Sequence, residues 1–302
     1  MDCRGSDLGM EVSAHNERSA LTYAVLAIVL WSTVATGFKL GLAVMAVEQL
    51  LLLGTLISWC VFAIYCSIRG RFFITRQDRL WVPVLGCLNP FTYYLLLFAA
   101  YDRLPAHVAQ PLNYTWAITL ALLAVPVLKQ KLTRGTIIGI VVSYSGVVLL
   151  LSGANEASPE QLDGVGIVLA LLSTILWATY WLISTRCSSD AGAMMFWSFS
   201  CAVPLVAMAC AAGPGWPECT LTNLVYGSWV GVVEMGVTFL LWQQALRHTR
   251  SVARIGQLIF ISPFLSLLLI NQVLGEVISW QAVAGLAIII FGLVLTQPAE
   301  SN

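Results

Sequence analysis

Charged residues are scarce in this sequence. Only 10% of the 302 residues are Asp, Glu, Lys or Arg, and the 15 basic and 15 acidic residues cancel. Without a basic excess the chain lacks the electrostatic footprint of a nucleic-acid-binding protein. Hydrophobic residues make up 59% of the chain, and the mean hydropathy is +0.84. This composition excludes a water-soluble domain and a disordered chain, and it is typical of a protein that crosses a membrane several times.

Signatures of catalysis and metal binding are scarce as well. The chain has three histidines, no H-E-x-x-H sequence and no pair of aspartates within the apolar segments, and its eight cysteines form no C-x-x-C pattern. Five of the cysteines lie inside apolar segments, where cysteine behaves as a small buried hydrophobe. We therefore expect no enzyme activity, no metal site and no cofactor.

Ten apolar segments are long enough to cross a bilayer as helices, since such a helix needs about 20 predominantly apolar residues. They form two groups of five. The first group covers residues 20–38, 50–68, 80–101, 106–128 and 135–151, and the second covers 164–184, 191–212, 221–246, 252–274 and 277–295. The first apolar run is longer than the core of a signal peptide, so we interpret it as a retained helix.

Basic residues are distributed unequally between alternate loops, and this bias predicts the orientation of the chain. One set of loops holds Lys39 and Arg103. The other set holds thirteen basic residues: Arg4, Arg18, Arg69, Arg71, Arg76, Arg79, Lys129, Lys131, Arg134, Arg186, Arg247, Arg250 and Arg254. Both termini are therefore predicted to be cytoplasmic. The predicted organisation is a tail at 1–19, a five-helix repeat at 20–152, an external linker at 153–163, a second repeat at 164–297 and a tail at 298–302.

The two groups of segments repeat each other in sequence. At a shift of 146 residues, one tryptophan and two glycines match: Trp31 with Trp177, Gly139 with Gly285, and Gly146 with Gly292. Because five spans is an odd number, the second copy must enter the membrane from the opposite side, which makes the repeat inverted. Inverted repeats are typical of secondary transporters whose substrate site lies between the halves. The glycines, seven residues apart on one helix face, favour close helix packing as their role.

These features resemble the drug/metabolite transporter superfamily and its EamA-like members. The resemblance is carried by the five-plus-five spans and by a few residues: Leu30-Trp31, Leu176-Trp177, Gly139, Gly285 and Gly275-Glu276. Among these transporters the aromatic-rich helices are most similar to the bacterial aromatic amino-acid exporters. The resemblance implies a basket of helices one to four and six to nine around a central cavity, with helices five and ten as outer support. The first repeat carries Lys131 near the place that Glu276 occupies in the second, so neither is expected to be a coupling residue.

Polar and aromatic residues within the spans predict the walls of that cavity, because polar groups are costly in hydrocarbon and face the bundle interior. Many of them recur three or four residues apart on one helix face. The candidate substrate-binding residues are Trp31, Asn89, Tyr93, Tyr94, Gln110, Asn113, Tyr114, Trp177, Trp181, Thr238, Trp242 and Gln257. They describe an aromatic, amide-rich cavity without the Arg or Lys clamps that a phosphorylated solute would need.

Two further residues are candidates for proton coupling. Glu234 is the only acidic residue near the middle of a span. It has three open roles: a proton carrier, a ligand of a substrate ammonium group, or a protonated structural group. His107, near the end of span four, has two: a group bonded at a helix end, which we favour, or a proton relay.

The sequence thus predicts an all-α polytopic membrane protein of ten transmembrane helices, arranged as two inverted five-helix repeats with both termini cytoplasmic. The predicted function is alternating-access export of small neutral or zwitterionic metabolites, amino acids and aromatic ones included, across the cytoplasmic membrane of a bacterium. Alternatives are export of small drugs or other metabolites and, less favoured, a channel-like facilitator. The expected partners are a small-molecule substrate and the lipid bilayer, with no nucleic acid.

Overall fold

The computed structural model describes residues 16–128, 133–157, 162–249 and 252–296, and within these ranges the secondary structure is entirely helical. Nine helices in these ranges are long and apolar enough to cross a membrane. They are α1 (Glu17–Leu42), α2 (Val47–Arg69), α3 (Val82–Arg103), α4 (Ala106–Val127), α5 (Arg134–Gly153), α6 (Gly164–Ser184), α7 (Ala191–Ala212), α8 (Leu221–His248) and α9 (Ile255–Leu274). A shorter apolar helix, α10 (Trp280–Thr296), follows them.

The last helix begins later than the sequence indicates. The apolar run predicts a span from residue 277, but α10 begins at Trp280 and has 17 residues. The delay has a local cause: Gly275 adopts a left-handed conformation with φ of 67° and ends the preceding helix. Residue Glu276 lies in the link between the two helices, and its side chain accepts hydrogen bonds from the start of α4. The tenth crossing and the side of each terminus stay predictions.

Helix packing follows a two-fold pattern that exchanges the repeats. Helix α1 of the first repeat packs on α8 of the second repeat. The equivalent pair with the repeats exchanged, α6 on α3, packs together in the same way. The pairs α2 with α7 and α5 with α10 each join a helix to its own counterpart. This is the arrangement expected of two copies of one five-helix unit that interlock.

Glycines join α5 to α10 in an antiparallel pair. Gly139 lies opposite Gly292 and Gly146 lies opposite Gly285, so the order of contacts runs in opposite directions along the two helices. A Cβ atom on any of these glycines would come within 2.5–2.7 Å of the facing carbonyl oxygen. At the centre of the pair the Ser143 hydroxyl donates to the carbonyl of Ile289 at 3.0 Å. The predicted packing role of the repeated glycines is confirmed.

Helices near the centre of the bundle are interrupted, and most of the interruptions lie next to predicted site residues. α1 breaks at Thr33 and α4 at Thr115. π-helical segments occupy Cys87–Thr92 in α3 and Trp229–Val237 in α8, and a 3₁₀ segment occupies Leu258–Ile261 in α9. Threonine hydroxyls satisfy freed carbonyls at the first two breaks: Thr33 donates to Leu30 at 2.5 Å and Thr115 to Leu112 at 2.7 Å. Irregular helix of this kind is tolerated at membrane depth where it lines a cavity or is buried in protein.

The two ends of the bundle carry different polar clusters. The outer end, which we define by Lys39 and Glu276 and which the sequence predicts to be external, joins α1, α3, α4 and the α9–α10 link. The inner end joins the segment before α3 to the α6–α7 link. There Asp78, 1% exposed, accepts hydrogen bonds from the backbone and hydroxyl groups of Ser188 and Ser189 at 2.5–3.3 Å.

Candidate functional site

A cavity of about 680 Å³ lies in the middle of the bundle. Helices α1, α3, α4, α6, α8, α9 and α10 all contribute to its wall. The family resemblance implied a basket that includes α2 and α7 and excludes α10, and this differs from the structure in two ways. α2 and α7 pack against each other and line none of the described cavity. α10 contributes Leu293 and Thr296 near its C-terminal end.

Aromatic rings form a continuous wall across the two repeats. The Trp31 ring lies 5.7 Å from Phe239 and 5.6 Å from Trp242, measured between ring centroids. Trp177 stacks on Tyr93 at 4.6 Å and meets Phe239 at 5.8 Å. The two repeat-related tryptophans therefore contact the same phenylalanine, both in the edge-to-face geometry that aromatic rings prefer.

Glu234 supplies the carboxyl group of the cavity wall, and it lies in the π-helical segment of α8. One of its oxygens, Oε1, accepts a hydrogen bond from the hydroxyl of Tyr94 at 2.9 Å. Tyr94 is fully buried and lies behind the wall, so it positions Glu234 from the side away from the cavity. Trp31 lies next to the same carboxyl group. The arrangement presents one fixed acid to a cavity whose wall is mainly aromatic and apolar.

Amide groups supply the other polar positions of the wall. Asn113 is held at both ends of its side chain: its oxygen accepts from the Tyr93 hydroxyl at 3.4 Å, and its nitrogen donates to the Ser173 hydroxyl at 3.1 Å. Gln110, one turn earlier on α4, is 5% exposed, and its oxygen has no hydrogen-bond partner within the described residues. The indole nitrogen of Trp181 is in the same situation. Buried polar atoms without partners in a cavity wall are groups that a ligand can satisfy.

The model of the EamA-like transporter family matches residues 18–152 and again residues 164–297, which is one match for each repeat. The chain belongs to the EamA-like transporter family. It is thus a multi-pass membrane transporter of the drug/metabolite transporter superfamily, and both the two-repeat architecture and the resemblance stated from the sequence are confirmed.

This EamA-like chain is similar in sequence to other proteins, among them uncharacterized transporters. An uncharacterized transporter of Clostridium kluyveri is 26% identical over 235 residues, which cover 76% of this chain and 75% of that protein. Protein PecM of Dickeya dadantii is 25% identical over 219 residues, covering 71% and 72%. One protein crystal structure aligns with a TM-score of 0.67 at 21% identity, covering 93% of this chain and 96% of the other, and it shows the same fold.

Nine of the fourteen candidate residues of this EamA-like transporter lie in the cavity wall. They are Trp31, Tyr93, Gln110, Asn113, Tyr114, Trp177, Trp181, Glu234 and Trp242. Their contact with a substrate stays a prediction.

The other five candidates lie outside the wall, each for a local reason. Tyr94 is turned toward Glu234, and the Thr238 hydroxyl donates to the carbonyl of Val233 in the same helix. Asn89 is buried at the break in α3. Gln257 precedes the 3₁₀ segment of α9 and is exposed, while its neighbour Gly256 lines the cavity. His107 is bonded to Glu276 at the outer end.

Sequence reasoning missed several apolar and aromatic residues of the wall. Phe239 and Trp116 are the most important, because each contacts Trp177. Both could have been found from spacing: Phe239 is three residues before Trp242, and Trp116 is three residues after Asn113. Tyr101 and Phe38 also line the cavity, at its outer floor, and no polar pattern distinguishes them in sequence from lipid-facing residues.

The wall of the described cavity contains no Lys, Arg or His side chain, so Glu234 is its only ionisable acid or base apart from tyrosine hydroxyls. Within the described ranges no group of three or more His, Cys, Asp or Glu side chains is placed to hold a metal ion. Chemically, the site can bind a small solute by aromatic contact, by amide hydrogen bonds and by one carboxyl group.

Proposed function

We propose that this transporter exports small zwitterionic metabolites, amino acids and aromatic ones among them, by alternating access across the cytoplasmic membrane of a bacterium. The observation that carries the proposal is the combination of a single carboxyl group, Glu234, with the aromatic wall of Trp31, Trp177, Phe239 and Trp242. A substrate ammonium group is attracted both by the carboxylate and by the faces of the rings. An aromatic or aliphatic side chain gains from burial against the same rings.

The size and charge of the cavity support this substrate class. Small-molecule sites typically measure about 300–1,000 Å³, so a cavity of about 680 Å³ holds one amino acid or a molecule of similar size. A phosphorylated solute would require Arg or Lys side chains to bind its phosphate, and the described wall contains neither. The unpartnered polar atoms of Gln110 and Trp181 offer hydrogen bonds to the polar end of the substrate.

A second candidate is export of amines that lack a carboxylate, including small cationic drugs. The specific observation in its favour is that the described wall offers an acid but no basic residue to pair with a substrate carboxylate. In this function Glu234 and the rings recognise the cation, and the amides contribute little.

Counterflow into proteoliposomes that hold the purified chain distinguishes these functions. The probes are phenylalanine, phenylethylamine, which lacks the carboxylate, and N-acetylphenylalanine, which lacks the ammonium group. The proposal expects transport of phenylalanine, stimulated by unlabelled phenylalanine on the other side, and little transport of N-acetylphenylalanine. Transport of phenylethylamine alone would favour the second candidate. Non-saturable flux without trans-stimulation would indicate a channel-like facilitator and contradict both.

A matched pair of variants tests the carboxyl group in the same assay. Glu234→Gln removes the negative charge and keeps the size of the side chain. Glu218→Gln makes the same change at an exposed position of the α7–α8 link, away from the cavity. The proposal expects a higher KM for phenylalanine in the first variant and an unchanged KM in the second. An equal KM in both variants would exclude Glu234 from substrate binding.

A further inference from the structure

Three hydrogen bonds join the α9–α10 link to the start of α4 at the outer end. The Glu276 carboxylate accepts from the backbone N–H of Ala106 at 2.8 Å through Oε1 and from the backbone N–H of His107 at 3.1 Å through Oε2. Oε2 also lies 2.6 Å from Nδ1 of the His107 ring. We call this set of contacts the outer latch. It joins segments that are 169–170 residues apart in the chain, one from each repeat.

The outer latch has the chemistry of a strong but breakable contact. A carboxylate at a helix N-terminus is favoured by the unpaired N–H groups and by the helix dipole. Burial opposes the charge on Glu276, but the hydrogen bonds from His107 and from the two backbone amides outweigh it and hold the pKa of this carboxyl group below its ordinary value. The latch is nearly dry: the His107 side chain is 5% exposed and that of Glu276 is 16% exposed.

Neighbouring groups at the outer end reinforce the closure. The ammonium group of Lys39, near the end of α1, donates to the carbonyls of Tyr101 at 2.8 Å and Leu104 at 3.1 Å at the end of α3. The carboxylates of Glu276 and Asp102 attract the Lys39 ammonium group electrostatically. On the link itself, the Asn271 amide donates to the backbone carbonyl of Glu276 at 2.9 Å. The ends of α1, α3, α4 and α9 therefore meet around the latch.

The cavity is closed on the side of the latch and extends to the other side. Its outer floor is formed by Phe38 and Tyr101, whose ring centroids are 5.3 Å apart. In the other direction its wall reaches Thr185, Leu246 and Thr296, which lie at the inner ends of α6, α8 and α10. The structure is thus a state in which the solute path ends at the outer floor.

We propose that Glu276 is a gating residue, and that the outer latch it forms with His107 and Ala106 holds the outer end closed while the cavity faces inward. The latch must break before α4 can separate from the α9–α10 link and release a solute outward. The inference rests on the alternating-access mechanism proposed above, and it does not depend on which solute is carried. It gives Glu276 a role that is neither substrate binding nor proton coupling.

Side-specific labelling of a cysteine one helical turn inside the outer floor tests this inference without any substrate. The reporter is Leu97→Cys, in a full-length chain whose eight native cysteines are replaced by alanine. Leu97 lines the cavity and is 2% exposed. A membrane-impermeant maleimide is added to the outer side of proteoliposomes of known orientation, and the rate of labelling is measured. The latched chain is expected to react slowly from this side.

Three substitutions are compared in that reporter chain. Glu276→Gln removes the charge that the latch needs, and the loss of charge-assisted hydrogen bonds is expected to raise outer-side labelling about tenfold or more. His107→Ala removes one of the three donors and leaves both backbone amides, so a smaller rise is expected. Glu218→Gln, the matched control at an exposed outer position, is expected to leave the rate unchanged.

A second reporter keeps the test decisive if a variant is damaged. Thr185→Cys, at the inner mouth, must stay reactive from the inner side and the protein must elute as a single species in gel filtration. If Glu276→Gln fails these checks, His107→Ala decides the question. Well-folded variants whose outer-side labelling equals that of the Glu218→Gln control would overturn the proposal. Failure of phenylalanine transport with a normal labelling response would instead reject the proposed substrate and retain the gate.

Discussion

Glu234 is the residue on which the chemistry of the cavity depends most. Its carboxyl group accepts a hydrogen bond from the Tyr94 hydroxyl and faces a cavity whose wall is mainly aromatic and apolar. The sequence could identify it, because an acid in the middle of a span is costly and therefore rare. Its hydrogen-bond partner was harder to identify. Tyr94 is a polar aromatic residue like those of the wall, and only the structure shows that it lies outside the wall and bonds to Glu234.

At this residue we predict that Glu234→Gln alters the pH dependence of transport, because an amide cannot take up or release a proton. The measurement is counterflow of phenylalanine at a series of equal internal and external pH values, followed by uptake under an imposed pH gradient. The variant is expected to respond less than the parent to both. A pH profile identical to that of the parent chain would remove Glu234 from any proton coupling.

For the aromatic wall we predict that Trp177→Ala weakens transport and leaves membrane insertion intact. The substitution removes the face that stacks on Tyr93 and contacts Phe239. Loss of a cation–π contact of about 0.5–2 kcal/mol corresponds to a rise in KM of about 2- to 30-fold. Trp31→Ala, the repeat-related change, is expected to act in the same direction. Trp216→Ala is the control, since that ring is 64% exposed in the α7–α8 link; equal KM values in all three would contradict a substrate role for the wall.

At the scale of elements, five of the helices that line the cavity are broken, while the α5–α10 pair is regular. The breaks in α1, α3, α4, α8 and α9 free backbone groups, whereas glycines let α5 and α10 approach until their backbones touch. Prolines lie in or near the breaks of α3, α4 and α9, at Pro90, Pro111 and Pro263, but the π-helical segment around Glu234 contains no proline and could not be predicted from sequence.

For the α5–α10 pair we predict that Gly146→Ala lowers the melting temperature of the detergent-solubilised protein. The added Cβ would lie 2.6 Å from the Gly285 carbonyl oxygen and 2.8 Å from the Ile289 nitrogen, so the two backbones must separate. Overpacking of this kind typically costs about 1–3 kcal/mol. Gly164→Ala, at the first residue of α6 where a Cβ meets nothing within 4 Å, is the matched control. Equal melting temperatures for the two variants would show that the close approach is not needed for stability.

For the contact with the α6–α7 link we predict that Asp78 stabilises the protein at neutral pH more than in acid, and that Asp78→Asn removes this contribution. The pKa of Asp78 lies below its ordinary value despite burial, mainly because the Ser189 hydroxyl donates a hydrogen bond to the carboxylate. Hydrogen bonds from Thr75 and from the backbone amides of Ser188 and Ser189 act in the same direction. A carboxyl group with a lowered pKa in the folded state stabilises the protein at neutral pH, and this contribution is lost as the pH falls through that pKa. Melting curves should therefore show a lower melting temperature for Asp78→Asn at neutral pH and a smaller difference in acid. A constant difference at every pH would contradict the prediction.

At the scale of the whole molecule, the repeat was predictable and the closure was not. A matching tryptophan and two matching glycines at one fixed shift were enough to predict two copies of one unit, because a tryptophan match is far less expected by chance than a leucine match in apolar helices. The latch could not be predicted: Glu276 stood out only as part of the family resemblance and as a departure from the first repeat, where Lys131 lies outside the described residues. Its three bonds to α4 depend on the left-handed turn at Gly275 and on the fold bringing residues 106 and 276 together.

Native cysteines allow the predicted orientation of the whole chain to be tested. Cys219 is exposed in the α7–α8 link, and Cys187 is partly exposed in the α6–α7 link at the opposite end of the bundle. If the thirteen-to-two distribution of basic residues sets the topology, an impermeant maleimide applied to intact cells should label Cys219 and spare Cys187. Cys219→Ser should then abolish labelling of intact cells, and Cys187→Ser should not. The exposed thiols of Cys60 and Cys87 lie within spans, where the bilayer covers the helix surface, so an impermeant reagent in water is expected not to reach them. Labelling that survives Cys219→Ser, and disappears only when Cys187 and the tail residue Cys3 are both replaced by serine, would place the termini outside the cell, and the latch would then close the cytoplasmic face.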